Sequence, residues 1–119
     1  VIANAKLALL LAAALLQAAV AGAQPAGAPR HTVPPELFDR PRSAELVLRQ
    51  PAIRAAVAAH LAQPGSRLVL RHGSGQNATL QAEELRAWLV ALAVDPERVL
   101  LAGDRKPGEA MIIEVQPGK

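Results

Sequence analysis

The sequence predicts a small α/β domain of the two-layer α+β kind, with element order β-α-β-α-β-β and two helices on one face of a mixed sheet. Three observations carry this. Residues 67–71 alternate, with Leu68 and Leu70 on one side and Arg67, Val69 and Arg71 on the other, the period of a half-buried strand. A glycine turn, His72-Gly-Ser-Gly75, leads from that strand through an amphipathic stretch at 79–94 into a second apolar strand at 98–101. A separate helical stretch at 51–62 precedes the unit, and an apolar strand at 111–115 follows it.

Taking the elements in order, residues 44–48 fit either a helix capped by Ser43 or a strand through Leu46-Val-Leu48. Pro51 suits a first helical turn, where its missing N–H costs nothing, and the Ala-rich run after it favours helix. Ile53, Val57, His60 and Leu61 have the spacing of one buried face. Pro64 and Gly65 end that helix. In the second helix Leu85, Trp88, Leu89 and Leu92 form the inward stripe, joined by Ala82, and Trp88 is expected to be the main core anchor. Asn77 or Thr79 should cap it, with Glu83 and Glu84 in its first turns, favoured by the helix dipole. Asp95-Pro96 breaks the helix, and 103–108 is a polar turn.

The chain has 119 residues and no cysteine, which bounds it to one small domain without disulfides or thiolate metal sites. Phe38 and Trp88 are its two aromatics, and its formal charge of +3 is scattered rather than clustered. A nucleic-acid surface would need arginines and lysines gathered on one face, so no nucleic-acid partner is expected. Lys6, the apolar run 7–20 and Ala21-Gly-Ala23 read as a signal peptide cleaved after Ala23, leaving Gln24 as the mature N-terminus. The run is shorter than the roughly 20 residues of a spanning helix, so the mature chain is expected to be periplasmic with no transmembrane span. Val1 reads as a GTG start, which points to a bacterium. Residues 24–42 hold five of the ten prolines and read as a Pro/Ala-rich linker, with an edge strand at 33–38 that Pro34 and Pro35 would weaken. The folded domain is expected at 43–116.

Gly73-Ser-Gly75-Gln-Asn-Ala78 loosely matches a dinucleotide fingerprint after a strand and before a helix. The chain is too short for a doubly wound sheet, however, and no acid follows at the required distance. The turn therefore reads as one needing positive φ at Gly73 or Gly75, or as a contact for a generic anion or carboxylate. His31 lies in the expected linker, and His60 and His72 have no Asp or Glu at ligand spacing, so neither metal nor cofactor is expected. Ser43, Ser66 and Ser74 lack the flanks of a nucleophile elbow and the carboxylates are unpaired, so the chain is not expected to be an enzyme.

Ser43-Ala-Glu-Leu46, the helix opened by Pro51-Ala52, Leu68-Val-Leu-Arg-His72-Gly73 and Val94-Asp-Pro-Glu-Arg98-Val99 together resemble the C-terminal, peptidoglycan-associated domain of the OmpA family. The resemblance spans most of residues 43–115 and implies a β-α-β-α-β fold. In that family Gly-His-Thr-Asp follows the second strand, and the second helix opens with Leu-Ser-x-x-Arg-Ala and ends in Gly-Ile. The family's Asp and Arg hold the carboxylate of diaminopimelate. Here Arg71-His72-Gly73-Ser74 stands at the first motif, with Ser74 in place of the acid. The register that aligns Leu85, Leu89, Ala93-Val94 and Arg98-Val99 puts Gln81-Ala82 at the Arg-Ala position, and a four-residue slip would put Arg86-Ala87 there. Losing two charge-assisted hydrogen bonds at about 1.5–3 kcal/mol each would weaken carboxylate binding by roughly two to four powers of ten.

These readings lead to a non-enzymatic envelope module with a degenerate ligand site, whose partner is peptidoglycan or another envelope protein. An alternative keeps weak peptidoglycan binding through Arg71, Ser74, Asn77, Gln81 and Arg86. A further alternative is a periplasmic enzyme or enzyme inhibitor on an unrelated α/β scaffold.

Overall fold

A computed structural model describes residues 28–118. The expected signal peptide and the start of the expected linker lie outside the described residues. The fold begins earlier than Ser43. Strand β1 (Arg30–Thr32) pairs antiparallel with β4 (Ile112–Gln116), and the pairing is extended by bonds from Val115 N to Pro29 O and from Val33 N to Met111 O. Val33 and Leu37 are core residues. The edge strand expected at 33–38 is displaced to Arg30–Thr32, and Pro35–Asp39 forms a 3-10 turn instead. Pro34 and Pro35 cannot donate to a strand ladder, whereas Pro35 suits the first position of a helical turn.

The ambiguous stretch is a helix, α1 (Ala44–Arg49). Ser43 Oγ accepts the Leu46 N–H at 3.1 Å, and Val47 is fully buried. Helix α2 (Pro51–Ala62) follows after one extended residue, Gln50, with Pro51 in its first turn. Its buried face is Ile53 and Ala56, flanked by Val57 and Ala59, while Leu61 is 73% exposed. The expected face therefore rotates away from Leu61: the small Ala56, not the larger Leu61, meets the sheet. His60 is partly buried. The Ser66 hydroxyl donates to the His60 carbonyl at 3.1 Å, so His60 Nδ1 must be the donor in its 2.8 Å bond to Ser66 Oγ. That pair ties the end of α2 to the start of the next strand.

Strand β2 (Arg67–Gly73) is central. It pairs antiparallel with β4 and parallel with β3 (Val99–Arg105), giving the sheet order β1-β4-β2-β3. The parallel pair is joined by α3 (Gln76–Ala91), which starts three residues before the expected 79 and ends three before the expected 94. Leu68, Leu70, Val99, Ile113 and Val115 face Ile53, Ala56, Ala82, Leu85 and Leu89, so both long helices cover one face of the sheet. Trp88 and Leu92 are only partly buried at the margin of this core. Trp88 is therefore not the main anchor; Leu85 and Leu89, fully buried, are.

Helix α3 ends in a Schellman motif: Val94 N bonds Leu89 O and Ala93 N bonds Val90 O, both at 3.0 Å. The motif places Ala93 at φ 77°, the left-handed conformation usually taken by glycine. Asp95 then caps a short 3-10 turn, Pro96–Arg98, by accepting the Glu97 N–H at 3.0 Å.

Candidate functional site

The turn between β2 and α3 is shaped by close approach, not by the positive φ expected at Gly73 or Gly75. A Cβ on Gly73 would sit 3.3 Å from the Lys106 carbonyl and 3.6 Å from Ala78 Cβ. Gly75 is the helix N-cap, in extended conformation with φ −71°. No side chain caps α3: Thr79 Oγ1 instead donates to the Gly75 carbonyl at 3.0 Å, and Asn77 lies exposed within the first turn. That first turn contains no acid, because Glu83 and Glu84 sit near the middle of the observed helix. The N–H groups at the start of α3 therefore carry the partial positive charge of an uncapped helix end. They border a hollow of about 440 Å³ lined by Gly73, Gly75, Gln76, Asn77, Ala78, Pro107 and Gly108.

His72 is buried beneath this turn. Its ring lies against Gly103, where an added Cβ would come within 3.1 Å of the imidazole, and Nδ1 donates to the Gly73 carbonyl at 2.7 Å.

The five expected site residues do not form one cluster. Ser74 and Asn77 are exposed at the turn. Gln81, one helical turn along, lines a smaller hollow of about 200 Å³ with Phe38, Arg42, Asn77, Leu80 and Glu84. Arg71 points to the opposite, helix-free face of the sheet, where its Nε bonds Glu114 Oε2 at 3.0 Å and its Nη1 bonds Asp104. Arg86 is ten residues along α3 from Gln76, about 15 Å at the helical rise. Its guanidinium donates to Val99 O at 3.2 Å and Pro96 O at 2.9 Å.

Glu114 is 6% exposed even though no helix covers its face. It accepts from Gln116 Nε2 at 3.0 Å as well as from Arg71, and Arg30 Nε lies 3.2 Å away. The bonds from Gln116 and Arg71 hold its carboxyl below the usual carboxylate range, against the opposing effect of burial. The same contact with Glu114, foremost, raises the Arg71 pKa further above its ordinary value.

A second constellation was not legible in the sequence. Arg42 forks onto Glu84, with Nε to Oε2 at 2.7 Å and Nη2 to Oε1 at 2.6 Å. Its Nη1 donates to the Phe38 and Arg40 carbonyls, and its guanidinium lies 5.7 Å from the centre of the Phe38 ring. Glu84 also accepts the Trp88 indole N–H at 3.3 Å, and its carboxyl is held low, chiefly by the Arg42 hydrogen bonds. This clamp fastens segment 38–42 across α3. Beside it lies a largely apolar hollow of about 460 Å³, lined by Pro41, Arg42, Glu84, Ala87, Trp88 and Ala91. The spacing of Glu84 and Trp88 hints at their contact, but nothing in the sequence joins Arg42 to a partner 42 positions away.

Among the described residues, no three His, Asp or Glu side chains converge as metal ligands. Ser66, bonded to His60, has no exposed surface, so its hydroxyl is structural. No protein-family model matches the chain, and no curated protein or solved structure is significantly similar to it.

Proposed function

We propose that the protein is a non-enzymatic binding or accessory module of the bacterial cell envelope, acting in the periplasm, with an OmpA-like fold whose ligand site has degenerated. The observation that carries this reading is the engagement of its two candidate arginines. Arg71 is held by Glu114 and Asp104 on the far face of the sheet, and Arg86 by two backbone carbonyls at the far end of α3. With Ser74 in place of the family's acid, a carboxylate at the glycine turn would meet only uncharged donors, the helix N–H groups and the Gln76 and Asn77 amides. The order of elements along the chain supports the resemblance. So does Ala93-Val94, which stands at the family's Gly-Ile with Ala93 in the backbone conformation glycine adopts. That match favours the register placing Gln81, not Arg86, at the family's arginine.

The uncapped α3 terminus, with the Gln76 and Asn77 amides in the hollow beside it, favours, as a second reading, residual weak contact with a carboxylate. An anion held by solvated N–H groups alone binds in the high-micromolar to millimolar range.

A pulldown with purified peptidoglycan sacculi tests both readings. The expected result is little or no retention at physiological salt, with small NMR shifts on adding diaminopimelate confined to residues 71–86. Tight, salt-resistant retention that Arg86→Ala abolishes would overturn the proposal and restore the family's function. Mass spectrometry of the periplasmic fraction should find a chain starting at Gln24; full-length chain in the membrane would overturn the export reading.

A further inference from the structure

The two edges of the sheet are unlike. β1 has three residues and runs into Pro34 and Pro35, so it offers little to a further strand. β3 has seven residues and no proline, and it opens with the apolar run Val99-Leu-Leu-Ala102. Among the described residues no strand pairs with its outer side. Leu100 is 40% exposed and lies on the helix-free face, opposite Val69 in the register. β3 departs from regular pairing only near its end, where an extra residue between Ala102 and Arg105 breaks step with β2. Monomeric proteins shield such edges with prolines, lysines, bulges or covering loops; here the Val99 N–H bonds Pro96 O and its carbonyl accepts from Arg86, and from Leu100 to Ala102 none of these devices is present.

We propose that β3 is a docking edge at which two copies of this chain pair antiparallel about a two-fold axis, joining their four-stranded sheets into one of eight strands. The edge is self-complementary in one register. For the helices of both copies to stay on one face, a residue of β3 must lie opposite itself. With Leu101 at the axis, Leu100 faces Ala102 of the partner subunit, apolar against apolar, and Arg98 approaches Asp104 of the partner subunit. Moving the axis to Ala102 would set Leu100 against a carboxylate, and moving it to Leu100 would set Arg98 against Ala102. Arg98 is fixed at the mouth of β3 by its bond to Gly65 O at 2.7 Å, and Asp104, paired with Arg71 of its own chain through one oxygen, is still 53% exposed. Opposite charges facing across a strand pair are stabilising and like charges are not, so this register also excludes its neighbours. The surface lies away from the glycine turn and does not depend on what that turn binds.

The chain has no cysteine, so introduced thiols report the interface without background. Sedimentation equilibrium of the full chain from about 1 µM to about 1 mM should show a reversible dimer. Its midpoint should be on the order of tens of micromolar, because pairing of one short strand buries less than a standard interface. Leu100→Lys should raise the midpoint at least about tenfold without lowering the melting temperature. Residues directly opposite in an antiparallel pair have Cα atoms about 4.5–5.5 Å apart, within disulfide reach. Under mild oxidation the double variant Leu100→Cys with Ala102→Cys should therefore form a covalent dimer, and Leu100→Cys alone should not. A chain still monomeric at about 1 mM, or a dimer that Leu100→Lys leaves intact, would overturn the docking edge. Equally efficient cross-linking by Leu100→Cys alone would overturn the register. If Leu100→Lys melts early, the two cysteine variants decide the question.

Discussion

Replacing Glu114 by glutamine keeps the shape of the side chain and removes one charge from a nearly closed site. In the parent, the carboxylate accepts from Arg71 and Gln116 and faces Arg30. Hydrogen bonds involving a charged group contribute about 1.5–3 kcal/mol, against about 0.5–1.5 for neutral ones, so each arginine contact loses roughly 1 kcal/mol or more. Arg30 is 61% exposed and its share is heavily screened by solvent, while Arg71 keeps Asp104 as a second partner. The net expectation is a loss of about 1–2 kcal/mol, which lowers the melting temperature of a domain this size by roughly 5–15 °C. Circular-dichroism melts across pH add a second test. A carboxyl whose pKa is depressed by folding stabilises above its unfolded value, about 4.3, and loses that contribution as pH falls through the folded value. The gap between parent and Glu114→Gln should therefore be full at neutral pH and close as pH drops below about 4. Glu84, depressed in the same way, adds acid sensitivity to both proteins alike. A variant that melts within about 1 °C of the parent at neutral pH, or a gap that persists unchanged into acid, would refute this account of the site.

Ala93→Gly should stabilise the protein by about 0.5–1 kcal/mol: it relieves the left-handed conformation at the end of α3, partly offset by the greater freedom of glycine in the unfolded chain. Urea unfolding with an unchanged slope and a higher midpoint would bear this out; a lower midpoint would not. Trp88→Ala should cost about 2 kcal/mol, less than the 3–5 of a fully buried indole, because the ring lies at the margin of the core. Leu89→Ala, from a fully buried position, should cost more in the same titration, and the reverse order would show that Trp88 is the anchor after all. Ser66→Ala should cost about 1 kcal/mol by leaving the His60 N–H and carbonyl without their shared hydroxyl, measurable by calorimetry.

Much of the architecture was legible in local patterns. The alternation of Leu68 and Leu70, proline at the start of α2 and the glycines before α3 act through backbone geometry and side-chain period, which depend on neighbours a few positions away. Boundaries were less legible. Helix α3 begins at Gln76 although no side chain caps it, because the turn is set by the contact of Gly73 with the Lys106 carbonyl, over thirty residues on. Part of the expected linker joins the core because Val33 and Leu37 find a surface made by residues far along the chain.

Of the candidate site, sequence determined the residue types at the turn: two glycines, Ser74 and Asn77, with no acid among them. Only tertiary structure decided the fate of the arginines. Alternation along β2 places Arg71 across the sheet from Leu70, but that face becomes a place to hold a charge only when β4 brings Glu114 beside it, 43 residues later. Arg86 meets the carbonyls of Pro96 and Val99 because α3 folds back on β3, and Arg42 meets Glu84 because the 38–42 segment crosses α3. A guanidinium is long, flexible and able to donate to any oxygen within reach. Its type is written in the chain, but its partner is chosen by whichever oxygen the fold delivers.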